Sequence, residues 1–139
     1  MASLIYNSFW EDLARGNIDL DSDTFKVLLT TSSYSESKDA DLKRSAVTNE
    51  VANGNGYTTG GNSATITVTK DTANDRLDIS LGGTSWSTAT ITARKAVYYK
   101  SRGGASSADE LIAVIDFGSD IISTNGTFTL SASTIRIQN

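Results

Sequence analysis

From Thr24 onward, apolar side chains recur at every second position. Phe25, Val27 and Leu29 stand among Lys26, Leu28 and Thr30; Ile66 and Val68 alternate with Thr65, Thr67 and Thr69; Leu77, Ile79 and Leu81 alternate with Arg76, Asp78 and Ser80. A period of two is that of a strand with one buried face. Asp71 to Asp75 joins the second and third runs as a predicted hairpin. Trp86 lies in a short segment after Gly82-Gly83, and Thr90 to Lys100 is long enough for a full strand. Leu111 to Phe117 is apolar on both parities, which predicts a strand covered on both faces, by an opposite sheet and by a helix or a partner. Asn125-Gly126 predicts a turn into Phe128 and Leu130, and the chain closes with Ile135 and Ile137 set against Arg136 and Gln138.

Before Thr24 the period is different. Phe9 and Leu13 lie four apart, and Ile5 extends that face backward. Ser8 and Glu11 have capping-box spacing, and Gly16 stands where a helix-terminating glycine belongs. The prediction is one helix over about 8–15, too short to stand without packing on something.

Asn53-Gly54-Asn55-Gly56 is a turn signal. Ser32 to Arg44 is polar and irregular, with Asp39 to Lys43 suited to one helical turn. Seven or eight strands at this spacing predict a mainly β fold: an antiparallel two-sheet sandwich, jelly-roll-like, with one short N-terminal helix, over 1–139 as one domain. Connections in compact domains run to about 4–6 residues. The long segment Ser32 to Asn49 is therefore expected to contact a partner, through Glu36, Lys38, Asp39, Lys43 and Arg44, and deleting 36–42 is expected to spare folding. Arg136 belongs to a second candidate contact, the alternating tail Thr134 to Asn139, which is suited to self-association or to pairing with a shell.

Composition narrows the chemistry. About a quarter of the residues are Ser or Thr, and there is no proline, so Gly, Asn and Asp must make the turns. With no His and no Cys, imidazole and thiolate catalysis are excluded, as are soft-metal sites. The net charge of −4 argues against a nucleic-acid groove. No run approaches the ~20 apolar residues of a membrane span, and the first residues lack the pattern of a leader. The chain is therefore expected to be made and folded in the cytoplasm of its producing cell.

The residues left for chemistry read as structure. Asp19, Asp21 and Asp23 lack the glycine and the downstream glutamate of a calcium loop and read as a solvated turn. The glycines around Tyr57-Thr58-Thr59 precede no helix that could present its N-terminus to a phosphate. Tyr98 to Gly104 mixes aromatics with cations but reads as a strand end entering a hairpin loop, and Asp109, Glu110 and Asp116 read as loop and strand-edge charges. The expectation is no enzyme, no cofactor and no metal.

The order of certain pieces carries a resemblance. Asn7 to Arg15 leads to Thr24–Thr30, then Thr48-Asn-Glu-Val, then Gly54-Asn-Gly-Tyr-Thr-Thr-Gly-Gly61, then Thr90 to Tyr99, and finally Val114-Ile-Asp-Phe-Gly118. This resembles small virion structural proteins of tailed bacteriophages over nearly the whole chain. The glycine-tyrosine-threonine turn and the alanine-valine-tyrosine strand are its most specific parts. The resemblance implies a capsid decoration or cement protein on the outer surface of the virion, with the major capsid protein as partner. A homo-oligomer is expected, with neither nucleic acid nor membrane bound. A ring-forming neck or tail component is the alternative, and a glycan-binding or glycan-degrading virion protein is a weaker one.

Overall fold

The computed structural model describes residues 3–139; Met1 and Ala2, the start of the segment examined for a leader, lie outside the described residues. Two antiparallel sheets face each other. The larger has the order β1 (Leu4–Ile5), β7 (Leu111–Leu130), β6 (Thr84–Lys100), β2 (Phe25–Thr30), β3 (Asn62–Ala64). The smaller has the order β4 (Ile66–Asp71), β5 (Arg76–Leu81), β8 (Ser133–Gln138). One helix, α1 (Asn7–Ala14), and two 3₁₀ turns, Arg44–Ala46 and Ser106–Ala108, complete the elements. A mainly β sandwich with a short N-terminal helix is what the alternation predicts. Among the described residues no helix is long and apolar enough to cross a membrane.

Between the sheets lies the main core, built around Phe25, Val27, Leu29, Ile79, Leu81, Trp86, Ile91, Tyr98, Ile112 and Phe128. Phe9 is fully buried in it, so α1 closes one side of the sandwich. A second cluster, Tyr6, Leu28, Tyr34, Val97, Tyr99, Leu111 and Val114, covers the opposite face of the larger sheet. A bulge places Tyr98 opposite Ala113 but Tyr99 opposite Leu111, which turns Ile112 into the main core beside Ala113. The double parity of this run is therefore matched by cover on both faces. The outer cover, however, is the 31–50 segment with Tyr6.

The helix begins one residue before the predicted span. Tyr6 is its N-cap and no side chain caps it; Ser8 is buried, and Glu11 pairs with Arg15 at 2.8 Å. The C-terminal expectation is met: Gly16 has φ +76°, and its N–H bonds to the Leu13 carbonyl at 3.2 Å. Asn125-Gly126 is not a turn, because β7 runs straight through it. Ala89 pairs with Gly126 and Ile91 with Ser123, so the turn-forming residues supply a bulge. Asn125 takes φ +48°, Ser123 Oγ accepts from the Ile91 N–H and donates to the Ala89 carbonyl, and Thr90 Oγ1 accepts from the Asn125 N–H. Side-chain hydroxyls replace the ladder bonds that the bulge removes. The segment around Trp86 and the run from Thr90 likewise form one strand.

Phe9→Ala is expected to destabilise the chain by about 3–5 kcal/mol, the usual cost of deleting a buried ring. Trp10→Ala, at a side chain 38% exposed, should cost far less. Chemical denaturation of both variants checks the contrast.

Candidate interaction surface

The resemblance-bearing turn docks on the sheet. Tyr57 is buried; its hydroxyl accepts from the Leu29 N–H at 3.1 Å and donates to Glu50 Oε1 at 2.7 Å. Glu50 Oε1 also takes the Gly60 N–H at 2.6 Å, while the Tyr99 hydroxyl donates to the Gly60 carbonyl at 2.5 Å. Gly61, at φ +77°, lies so close to β2 that an added Cβ would sit 1.8 Å from the Val27 carbonyl oxygen. The two most specific parts of the resemblance thus touch each other, and their role is to fold the chain. Burial raises the Tyr57 hydroxyl well above its usual range and pushes Tyr98 and Tyr99 up to about 12, so these phenols remain neutral donors. Tyr98 donates to the Gly82 carbonyl. Neither ring of the pair forms an exposed stacking platform.

The segment 31–50 lies on the outer face of the larger sheet and is fastened at three places. At its start, Lys95 of β6 and Glu36 form a buried ion pair, with side chains 5% and 0% exposed. Lys95 Nζ also donates to the Tyr34 carbonyl and lies 5.6 Å from the centre of the Tyr34 ring. In the middle, the Tyr34 hydroxyl donates to Asp41 Oδ2 at 2.8 Å and accepts from Tyr6 at 2.7 Å. One turn forms here, closed by the Asp41 N–H on the Ser37 carbonyl, slightly earlier than the predicted Asp39–Lys43 turn. At its end, Arg44 bonds Asp109 Oδ2 at 2.8 Å with its guanidinium 5.0 Å from the Tyr99 ring centre, and Lys43 lies 3.5 Å from Glu110. Arg102 grips Glu110 through both oxygens.

Glu36 and Arg44 are therefore consumed by intramolecular pairs, which corrects their reading as open contact residues. Asp109 and Glu110 are buried ion-pair acceptors, which corrects their reading as loop charges. Removal of 36–42 would strip Lys95 of its partner, so this deletion is now expected to destabilise the chain rather than to spare folding. Lys38 and Asp39 stay exposed beside α1, where Asn7 donates to Asp39 and its N–H bonds the Lys38 carbonyl. Arg136 is on the other sheet, paired with Asp78 at 2.7 Å, and is not brought together with the loop residues. Trp10, expected with Phe9 on the helix that packs across the sandwich, is 38% exposed while Phe9 is fully buried. Leu42, 51% exposed on the segment that Asn7 joins to the helix, is not singled out by the sequence pattern. An isolated apolar residue on a short polar segment carries no periodicity that would mark it.

Asp19, Asp21 and Asp23 form the expected turn. Asp19 Oδ1 accepts from the Asp21 N–H, and Asp23 Oδ2 accepts from the Asp19 N–H and meets Lys100 at 2.8 Å. Among the described residues no group of three acidic side chains could hold a metal ion. No family model matches the chain, and neither a curated protein nor a solved structure matches it.

Lys95→Met alone or Glu36→Leu alone should cost about 3–5 kcal/mol, because each strands a buried charge, whereas the double variant should recover most of that loss. A double-mutant cycle by urea denaturation measures it. Arg136 holds the Asp78 carboxyl below its ordinary value, and Asn74 does so for Asp71. Burial pushes Asp116 up, but Arg94 and the Gly118 N–H outweigh it and the net direction is down. Groups depressed in the folded chain stabilise it fully above the unfolded carboxylate value of about 3.9 and lose that effect as pH falls through the folded values. The melting temperature should therefore fall on acidification below that value, less steeply in Asp78→Asn.

Proposed function

We propose that the chain is a non-enzymatic structural protein of a tailed-phage particle, a decoration or cement protein that binds the major capsid shell from outside. The observation that supports this most is the fastening of segment 31–50. The carboxylates that burial would make chemically interesting, Glu36, Asp109 and Glu110, are bound to Lys95, Arg44, Lys43 and Arg102. Charge here is spent on holding a surface in one shape. A preorganised surface loses little entropy on binding, which is what a protein that acts by contact alone needs. α1 and the 37–42 turn, joined through Asn7, leave Trp10 and Leu42 exposed, and Lys38 and Asp39 are exposed on the same turn. Aromatic and apolar anchors rimmed by charge are the usual composition of a binding patch.

The mechanism is mass action. A partner that binds only the assembled shell stabilises it by RT ln(1 + [L]/Kd), about 2.7 kcal/mol per site at a hundredfold excess over Kd. Summed over equivalent sites, that term resists heat and internal pressure without any reaction. The decisive measurement is the number of copies per particle, with the heat resistance of particles lacking the chain. Hundreds of copies and heat-sensitive shells support cement; about six or twelve copies, with intact shells that fail to join tails, assign the chain to the neck or tail. Trp10→Ala combined with Leu42→Glu should leave the melting temperature nearly unchanged and reduce co-sedimentation with shells at least tenfold. Undiminished co-sedimentation would remove this patch from the interface.

A further inference from the structure

The smaller sheet has two open edges, β4 and β8, and they are built differently. Core-facing positions run in register across the three strands as Ile66–Leu81–Ser133, Val68–Ile79–Ile135 and Lys70–Leu77–Ile137. The last row overhangs the core and leaves Ile137 43% exposed, while Val68, at the β4 end of the middle row, is 46% exposed. On β4 that row ends in Lys70, a charge on the inward face, which is a common guard against edge-to-edge pairing. β8 has no such guard. Its inward residues are Ser133, Ile135 and Ile137, it contains no proline, and its one cation, Arg136, lies on the outer face gripped by both oxygens of Asp78.

The hydrogen-bond phase of β8 fixes which groups are free. The Asn139 N–H bonds the Asp75 carbonyl at 3.1 Å, continuing the β5–β8 register. Alternate residues of an antiparallel strand face the same neighbour, so 133, 135 and 137 bond toward β5. The backbone groups of Thr134, Arg136 and Gln138 therefore point away from the sheet. Those three positions are symmetric about Arg136.

We propose that β8 pairs with β8 of a second copy of this chain, antiparallel and two-fold symmetric about Arg136. Thr134 then bonds Gln138 of the second copy, Arg136 faces its own equivalent, and two three-stranded sheets become one of six strands. On the inner face Ile135 comes opposite Ile137 of the second copy, so the exposed Ile137 of each chain is covered. A groove along this open edge, lined by Leu4, Ile5, Val114 and Ile115 with Ile135, receives the inner face of the added strand. The two facing guanidiniums are each neutralised by Asp78, which removes the like-charge repulsion such a centre would otherwise carry. Closed two-fold pairing also uses up the edge, so association stops at the dimer. The inference concerns the chain alone and holds whether or not it binds a shell.

Sedimentation of the purified chain, with circular dichroism to confirm folding, tests it. The wild type should sediment as a dimer that dissociates on dilution. Ile137→Lys, which copies the Lys70 guard, and Thr134→Pro, which removes an outward N–H that the monomer does not use, should be folded monomers. Because the chain has no cysteine, Arg136→Cys gives an independent reading should either variant fail to fold. Two-fold pairing brings position 136 to about 5.5 Å from its equivalent, within disulfide range. Oxidation should therefore link Arg136→Cys as a dimer and leave Val68→Cys on β4 unlinked. A wild type that is monomeric throughout, folded variants that stay dimeric, or equal cross-linking at position 68 would each overturn the proposal.

Discussion

The ion pair between Lys95 and Glu36 decides where the outer layer of this protein lies. Lys95 sits on β6, on the same face as Val97 and Tyr99, at the middle of a sheet whose other face is already buried. A lysine at that place is tolerable only if a counter-charge and further acceptors reach it, because an unpaired buried cation costs several kcal/mol. Glu36 and the Tyr34 carbonyl supply them, and both belong to the 31–50 segment. Once that contact forms, Tyr34 is carried over the sheet, its hydroxyl meets Tyr6 and Asp41, and the apolar face of Leu28, Val97 and Val114 is closed. A buried pair of this kind need not add net stability over an apolar pair of equal volume. What it does fix is position.

The same contact explains why some of the fold was legible in the sequence and some was not. Strands with one buried face announce themselves by alternation, and β2, β4, β5 and β8 were readable for that reason. The double parity of Leu111–Phe117 correctly signalled two buried faces. Nothing in a polar, irregular run signals that it will be the cover, since only Tyr34 and Val47 of that segment join the second cluster. Glu36, Arg44, Asp109 and Glu110 were misread for a related reason: a charge carries no local mark of its partner, and Glu36–Lys95 and Arg44–Asp109 are separated by 59 and 65 residues. Local rules also have more than one solution. Asn-Gly favours positive φ, which serves a bulge as well as a turn, and at 125–126 the long partner strand β6 selects the bulge. At α1, Ser8 has the spacing of a cap but lies inside the helix, because the Tyr6 N–H is fixed by the Ile112 carbonyl and so sets the first turn.

The β6–β7 ladder shows how the chain bends while keeping its core. Its register jumps from Lys95–Asp116 to Ala93–Ile121, so β7 carries extra residues where β6 has only Arg94. Asp116 spans the irregularity: one oxygen takes both Arg94 and the Gly118 N–H, and its own N–H bonds Ser3. Gly118 has φ +83°, a conformation glycine reaches without steric cost. Beyond the bend, Ala93, Ile91, Ala89 and Trp86 still face the core, and small residues alternate with large ones there. Gly56 approaches Ala89 so closely that a Cβ would come within 2.7 Å of its backbone. Glycine at position 56 is thus a packing requirement imposed by the strand it lies against.

Edges are the remaining problem of any open sandwich, and the two sheets meet it in different ways. The larger sheet ends in β1 and β3, of two and three residues, so its outermost strands expose few unpaired backbone groups. The smaller sheet ends in six-residue strands on both sides. Short strands and inward charges both oppose edge pairing, and three of the four edges carry one of these devices. β8 carries neither, and its flank is the apolar groove formed with β1 and β7. A terminal strand left apolar and in phase for pairing has a surface whose exposure is costly in isolation. That cost is removed when another strand covers it.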